Sequence, residues 1–313
     1  MNKRERIFGL LETAGPWDYV PAGFFIHFPE QYHYGQAAVD KHLEYFRYTG
    51  MDFVKIQFEN RFPDRPEIRR PADWANMPQY GPEFYENQLS VVKGLVDAVG
   101  TEAPIIMTLY STFMCAGQTV DKDLLLQHLQ EDPEQVKKGF EAISQSLLYF
   151  VRECIKLGVD GFYASTQGGE SFRLGNSDLF NNYVKPFDLL LMNEMNAHCP
   201  FNILHVCDYH GGYDDLSPFP DYPGQIVNCS LKVGDGMMTG QQVAALFGRP
   251  FMGGLDRHGI IAQGSPAEVA AATREILAAA PDQFMLGADC TLPGEVDWDN
   301  IKTAIDTAHG HAQ

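Results

Sequence analysis

FNILHVCDYHGG, residues 201–212, begins as an apolar run and ends on an imidazole, a thiol and a carboxylate before two glycines. The same design recurs along the chain. Short apolar runs, each followed by a polar strand end and a helical pattern, fall at Tyr19–His27, Asp52–Phe58, Ile105–Tyr110, Gly161–Ser165, Asn202–Val206, Gln225–Ser230, Pro250–Leu255 and Gln283–Ala288. Most are continuously apolar rather than alternating, as expected of strands buried on both faces of a parallel sheet. Helical patterns lie between them. Ala38–Tyr48 stops at Gly50, and Glu83–Val99 stops at Gly100. Asp132 and Pro133 form a cap and first-turn pair opening a helix to about Leu157. Asn176–Met195 reads as one helix kinked by Pro186. Thr239–Phe247 is short, Ser265 to Glu268 reads as a capping box, and Asp297–His309 closes the chain. Eight strand–helix units predict an α/β fold, a single (β/α)8 TIM barrel forming one domain over residues 1–313. An open doubly wound sheet is the second choice, and no GxGxxG turn supports a dinucleotide site.

Composition narrows the function. The 313 residues are 45% hydrophobic, enough for one large core. The formal charge of −18 disfavours nucleic acid, which needs clustered Lys and Arg. No run of about 18 apolar residues predicts a membrane helix. The opening MNKRERIFGLLETAG lacks an apolar signal core, so a cytoplasmic protein is expected. Six scattered cysteines do not form a disulfide framework and are read as reduced thiols. A homodimer is expected only as the commonest soluble oligomer.

In a barrel of this kind, chemistry sits where the strands end. His205 and Cys207 end the fifth predicted strand, and Cys290 ends the eighth. One imidazole and two thiolates suit zinc, whose catalytic sites use three protein ligands and keep a fourth position open. The spacing alone leaves buried core thiols as the alternative, and Cys229 as a rival ligand. Asp208 or Asp289 are candidates to orient His205. Glu59 is read as a fourth, displaceable ligand or a proton acceptor. His27 is a candidate acid or base. Tyr110 and Gln167 are candidates for substrate binding by position, and Asp256 for ligand contact in a glycine-rich loop. The segment PDYPG, 220–224, with Tyr209 and Tyr213 nearby, is read as a loop covering the barrel mouth.

Three stretches carry a resemblance: EDPEQVKKGFEAISQSLLYFVRECIKLGVDGFY at 131–163, GGLDRHGIIAQGSPAEV at 253–269 and FMLGADCTLPGEVDWDNIKTAI at 284–305. They resemble the uroporphyrinogen decarboxylase superfamily, over about Arg4 to Ala308. The resemblance implies a (β/α)8 barrel. Within that superfamily, His205-x-Cys207…Cys290 is similar to the zinc motif of the corrinoid-dependent methyltransferases, such as methylcobamide:coenzyme M methyltransferase. It therefore implies zinc on His205, Cys207 and Cys290. It also implies methyl transfer between a corrinoid, or a methylated small molecule, and a zinc-activated thiol, with a corrinoid protein as partner. The decarboxylase branch carries an arginine-rich segment after the first strand. Here that place reads GFFIHFPEQYH, 23–33, without arginine. A metal-independent decarboxylase is the alternative, with Arg61 or Arg173 holding a substrate carboxylate.

Overall fold

The computed structural model describes residues 1–311; the expected domain, 1–313, thus includes two residues outside that span. Seven parallel strands form one curled sheet: β1 Val54–Ile56, β2 Ile105–Tyr110, β3 Gly161–Thr166, β4 Ile203–Val206, β5 Ile226–Cys229, β8 Phe251–Leu255 and β9 Phe284–Ala288. Two short strands, β6 Lys232–Val233 and β7 Gly236–Met237, pair as an antiparallel hairpin outside it. The register runs stepwise around the sheet, from Ile56 beside Met107 to Leu255 beside Ala288. The strand residues are almost all buried, which explains why they read as continuous apolar runs.

The first expected strand is the exception. Tyr19–His27 supplies isolated bridges, Ala22 to Leu286 and Ile26 to Leu292, rather than a regular strand. Gly23 donates to the Leu286 carbonyl, Leu286 donates to the Pro21 carbonyl, and Asp52 donates to the Ala22 carbonyl. This extended segment therefore joins β9 to β1 and closes the curl into a TIM-barrel-like α/β fold. Pro21 has no N–H to give, so an even ladder cannot run through it.

The helices pack outside the sheet. Pro133–Leu157 buries eleven residues and ends at Gly158, whose left-handed φ of 96° suits glycine. Gly161 allows a close approach: a Cβ there would lie 1.6 Å from the Phe201 carbonyl oxygen. The helix expected over Asn176–Met195 is in fact a π-helical turn, Phe180–Val184, running into an α-helix at Lys185–His198. Pro186 falls in the first turn of that α-helix, where a missing N–H is tolerated, and the wide turn before it takes the place of a kink. Besides the single turn Ile260–Gln263, two longer helices went unforeseen. Thr112–Thr119 and Lys122–Glu131 follow β2 and stand beside the barrel mouth. Among the described residues, no helix is long and apolar enough to cross a membrane.

Candidate metal centre

Side chains alternate along a strand, so every second residue of a barrel strand faces the axis. Lys55 and Gln57 from the end of β1, Tyr163, Ser165 and Gln167 from β3, and His205 and Cys207 from β4 accordingly line one cavity of about 290 Å³. Cys290, two residues beyond β9, joins them. His205, Cys207 and Cys290 are 2%, 5% and 4% exposed.

Their donor atoms all lie within 4.8 Å of one another. The two sulfurs are 4.0 Å apart, and Cys290 Sγ is 3.4 Å from His205 Nε2. Two sulfurs and a nitrogen placed tetrahedrally around zinc would be about 3.8 Å (S to S) and about 3.5 Å (S to N) apart, from metal distances of about 2.3 and 2.0 Å. The Cys207–Cys290 and Cys290–His205 pairs match these separations to a few tenths of an ångström, and Cys207 and His205 lie within 4.8 Å. It is also far from a disulfide, and all six cysteines are free and buried. The donor set and its spacing fit zinc. A hydrogen bond from Cys290 holds Cys207 below the usual thiol range, against burial; the same pairing, reinforced by burial, pushes Cys290 well up.

Around this cluster, Gln167 donates its side-chain N–H to Cys207 Sγ at 3.2 Å and accepts from Arg173 at 3.1 Å. Tyr163 stacks on the His205 ring, with centroids 4.7 Å apart. At the cavity rim, His27 Nδ1 lies 3.2 Å from Glu59 Oε1, and Tyr110 Oη lies 3.4 Å from His27 Nε2. Burial alone would raise the Glu59 carboxyl; the hydrogen bond and charge of His27, with His33 and His42 behind it, hold it below the usual range. Phe113, Met114 and Leu125, from the two helices after β2, form an apolar wall.

The expected residues divide. His205, Cys207, Cys290, Tyr110, Gln167 and His27 meet at this cavity. Glu59 reaches it only through His27. Among the described residues, it is not part of the group spaced to hold a metal, and its carboxylate is engaged by His27 and His33 instead. Asp208 and Asp289 do not orient His205, whose buried Nδ1 has no partner. Both carboxylates instead face Arg257, at 2.7 and 3.0 Å, because each stands one step off the inward register. Asp256 does not reach the cavity either; it accepts the His258 backbone N–H at 2.7 Å and closes a turn. Cys229 lies outside the cluster, and burial pushes its thiol up to about 12. The PDYPG segment is not a cover. Tyr222 is fully buried with its hydroxyl on Asp188, and Arg249 binds the Pro220 and Gly224 carbonyls. Tyr209 does line the cavity, whereas Tyr213 is buried against the Cys207 carbonyl.

Sequence reasoning missed Lys55. It is 5% exposed, it donates to Gln57 Oε1 at 2.9 Å, and its ammonium lies over the rings of Phe25 and Tyr163 at 4.4 and 4.7 Å. Burial pulls it down to about 7, against the opposing pull of Cys290, Glu59 and Cys207. A lysine inside the apolar run FVKIQF, two residues before Gln57, was the available signal.

A curled parallel sheet with a buried His-Cys-Cys cluster at its strand ends defines the class: a TIM-barrel-like protein with a candidate metal centre. The profile of the uroporphyrinogen decarboxylase (URO-D) family matches residues 50–311, most of the chain, and the protein belongs to that family. No curated protein matches it in sequence. Among solved structures it is similar to a methyltransferase from Methanosarcina mazei, at 13% identity over 98% of both chains and a TM-score of 0.77. It is also similar to a B12-independent methionine synthase from Shewanella sp. W3-18-1 in complex with selenomethionine. There the identity is 12% over 94% of this chain and 97% of the other, with a TM-score of 0.58. At such identities the likeness is one of fold.

Proposed function

We propose that the protein is a zinc-dependent methyltransferase, moving a methyl group between a thiol and either a corrinoid carried by a partner protein or a methylated small molecule. The observation that carries this is the buried His205, Cys207 and Cys290 group, its donor atoms within 4.8 Å at the wall of a cavity. Zinc, when held there, would keep an incoming thiol as the thiolate nucleophile at neutral pH. The chain's own residues supply the rest. Glu59 accepts from His27 Nδ1, so Nε2, 3.4 Å from the Tyr110 hydroxyl at the cavity rim, is the nitrogen left to take the proton of the entering thiol. Gln167, donating to Cys207 Sγ, steadies that sulfur as ligand. Phe113, Met114 and Leu125 give the cavity an apolar wall that disfavours water beside the reacting thiol.

The decarboxylase alternative is less well served. Arg61 is exposed and pairs with Asp64, away from the cavity. Arg173 lines the cavity but is neutralised by the buried Glu170 carboxylate at 2.9 Å. The test is a methyl-transfer assay of the zinc-loaded protein with methylcobalamin and a panel of small thiols. Loss of methylcobalamin with formation of a thioether is expected in the wild type and not in Cys207→Ala. Absence of transfer to every thiol, with zinc bound, would count against the reading.

A further inference from the structure

We propose that Lys55 is a positioning residue that makes the centre select an anionic sulfur ligand over a neutral donor as its fourth ligand. This rests on the zinc reading above. A dication, two thiolates and a neutral imidazole sum to zero charge. Lys55 then stands as an additional buried cation on the same cavity wall. Among the described residues, no carboxylate pairs with it: its partners are Gln57 Oε1, itself fixed by donating to the Ile26 carbonyl, and the faces of Phe25 and Tyr163. Among the described residues, no Asp or Glu lines the cavity, although the chain carries a net charge of −18. The other two cations of the cavity differ from it: one is ion-paired and the other is exposed to solvent. Arg173 is paired with Glu170, and Lys122 rests on His210 near the helix that starts at Lys122.

Burying an ammonium without a counter-ion is unfavourable, so the lysine either gives up its proton or is joined by something negative. A thiolate as fourth ligand brings one negative charge and balances Lys55. A neutral fourth ligand, such as imidazole or water, leaves the lysine either as the free amine or as an uncompensated ammonium, and gains nothing from it. The substrate class is therefore a sulfur nucleophile bound as the anion, and Lys55 adds a discrimination by charge to the preference of the three-ligand centre itself.

The experiment uses the whole chain loaded with cobalt(II) as a coloured substitute for zinc, with metal content measured first. 2-Mercaptoethanol and imidazole are titrated separately into wild type, Lys55→Met and Lys55→Gln near neutral pH, following the visible cobalt bands and the sulfur-to-cobalt charge-transfer band. Methionine is close to lysine in shape, and glutamine gives a second variant should the first not fold. The expected result is thiol binding weakened about tenfold or more in both variants. Imidazole binding should stay within about threefold of wild type, and cobalt content should not change. Thiol affinity equal to wild type, or parallel loss of thiol and imidazole binding, would overturn the role of Lys55 while leaving the metal site intact. Wild type that takes up neither cobalt nor zinc would overturn the zinc reading itself, and this inference with it.

Discussion

The inward and outward faces of the same strand ends do different work. At β4, His205 and Cys207 face the cavity, while Asp208, one residue on, faces Arg257. After β9, Cys290 faces inward and Asp289 meets the same guanidinium. At β3, Ser165 and Gln167 line the cavity, while Thr166 between them points out and donates to Asp188 at 2.5 Å. The inward set is soft donors and one unpaired cation. The outward set is matched charge and hydrogen bonds. The difference teaches that the polar strand ends are two layers offset by one residue: one able to bind, the other fastening the strands that carry it. Arg257, just past β8, ties the ends of β4 and β9 together and so holds the spacing between Cys207 and Cys290. Burial would lower its pKa, but the Asp208 and Asp289 carboxylates raise it above the usual value, so it stays charged.

The sharpest way to break this contrast is Arg257→Ala. It leaves two carboxylates, 12% and 16% exposed, without their cation. The expected cost is about 3–5 kcal/mol of stability, since one partner of a buried ionic cluster is removed. Zinc affinity should also fall about ten- to a hundredfold, as when outer supports of a metal site are lost. Denaturant unfolding and competitive zinc titration would show it. A variant unchanged in both would mean that the outer layer does not hold the inner one.

Asp188 tests the outer layer in a different way. It is buried, one of its oxygens has no partner, and burial raises its carboxyl from 3.8 to about 7. The folded protein therefore binds a proton here that the unfolded chain releases between those two values. Stability from this group falls as pH rises across that window, and the full cost is present above about pH 7. The slope is worth up to about 4 kcal/mol for a shift of this size. Asp188→Asn should flatten the pH dependence of unfolding free energy over that range. Identical slopes in variant and wild type would contradict the assignment.

The smallest effect is expected at Asp256, which only closes a turn. Asp256→Asn keeps an acceptor for the His258 N–H, so stability should change by less than about 0.5 kcal/mol and metal content not at all. A loss of zinc in this variant would return Asp256 to the site.

Much of this layering was legible in the sequence, and the reason is periodicity. Apolar runs ending in reactive residues marked seven of the staves, and the His205-x-Cys207 spacing implied a shared face because side chains repeat every two residues. Pro21 was visible, yet the runs alone did not say that the first stave would be reduced to bridges. The same period that unites His205 and Cys207 excludes Asp208, a consequence that adjacency in sequence obscured. Arg257 and Asp256 are neighbours in one turn, and only the tertiary position of Asp208 and Asp289 decides which of them matters. Lys55 hid because a lysine in a strand reads as an exposed edge residue, whereas here it is enclosed by Phe25 and Tyr163 from other parts of the chain. The helices at Thr112–Thr119 and Lys122–Glu131 lie within one crossover, where the strand count did not look.

The central claim is that His205, Cys207 and Cys290 form one metal site. Its most direct test is zinc content by mass spectrometry in purified wild type and Cys290→Ala, each supplied with zinc under reducing conditions and then dialysed. The account predicts about one zinc per wild-type chain and a small fraction of that in the variant, with folding retained, because catalytic zinc needs three protein ligands. No zinc in wild type, or equal zinc in both proteins, would contradict it.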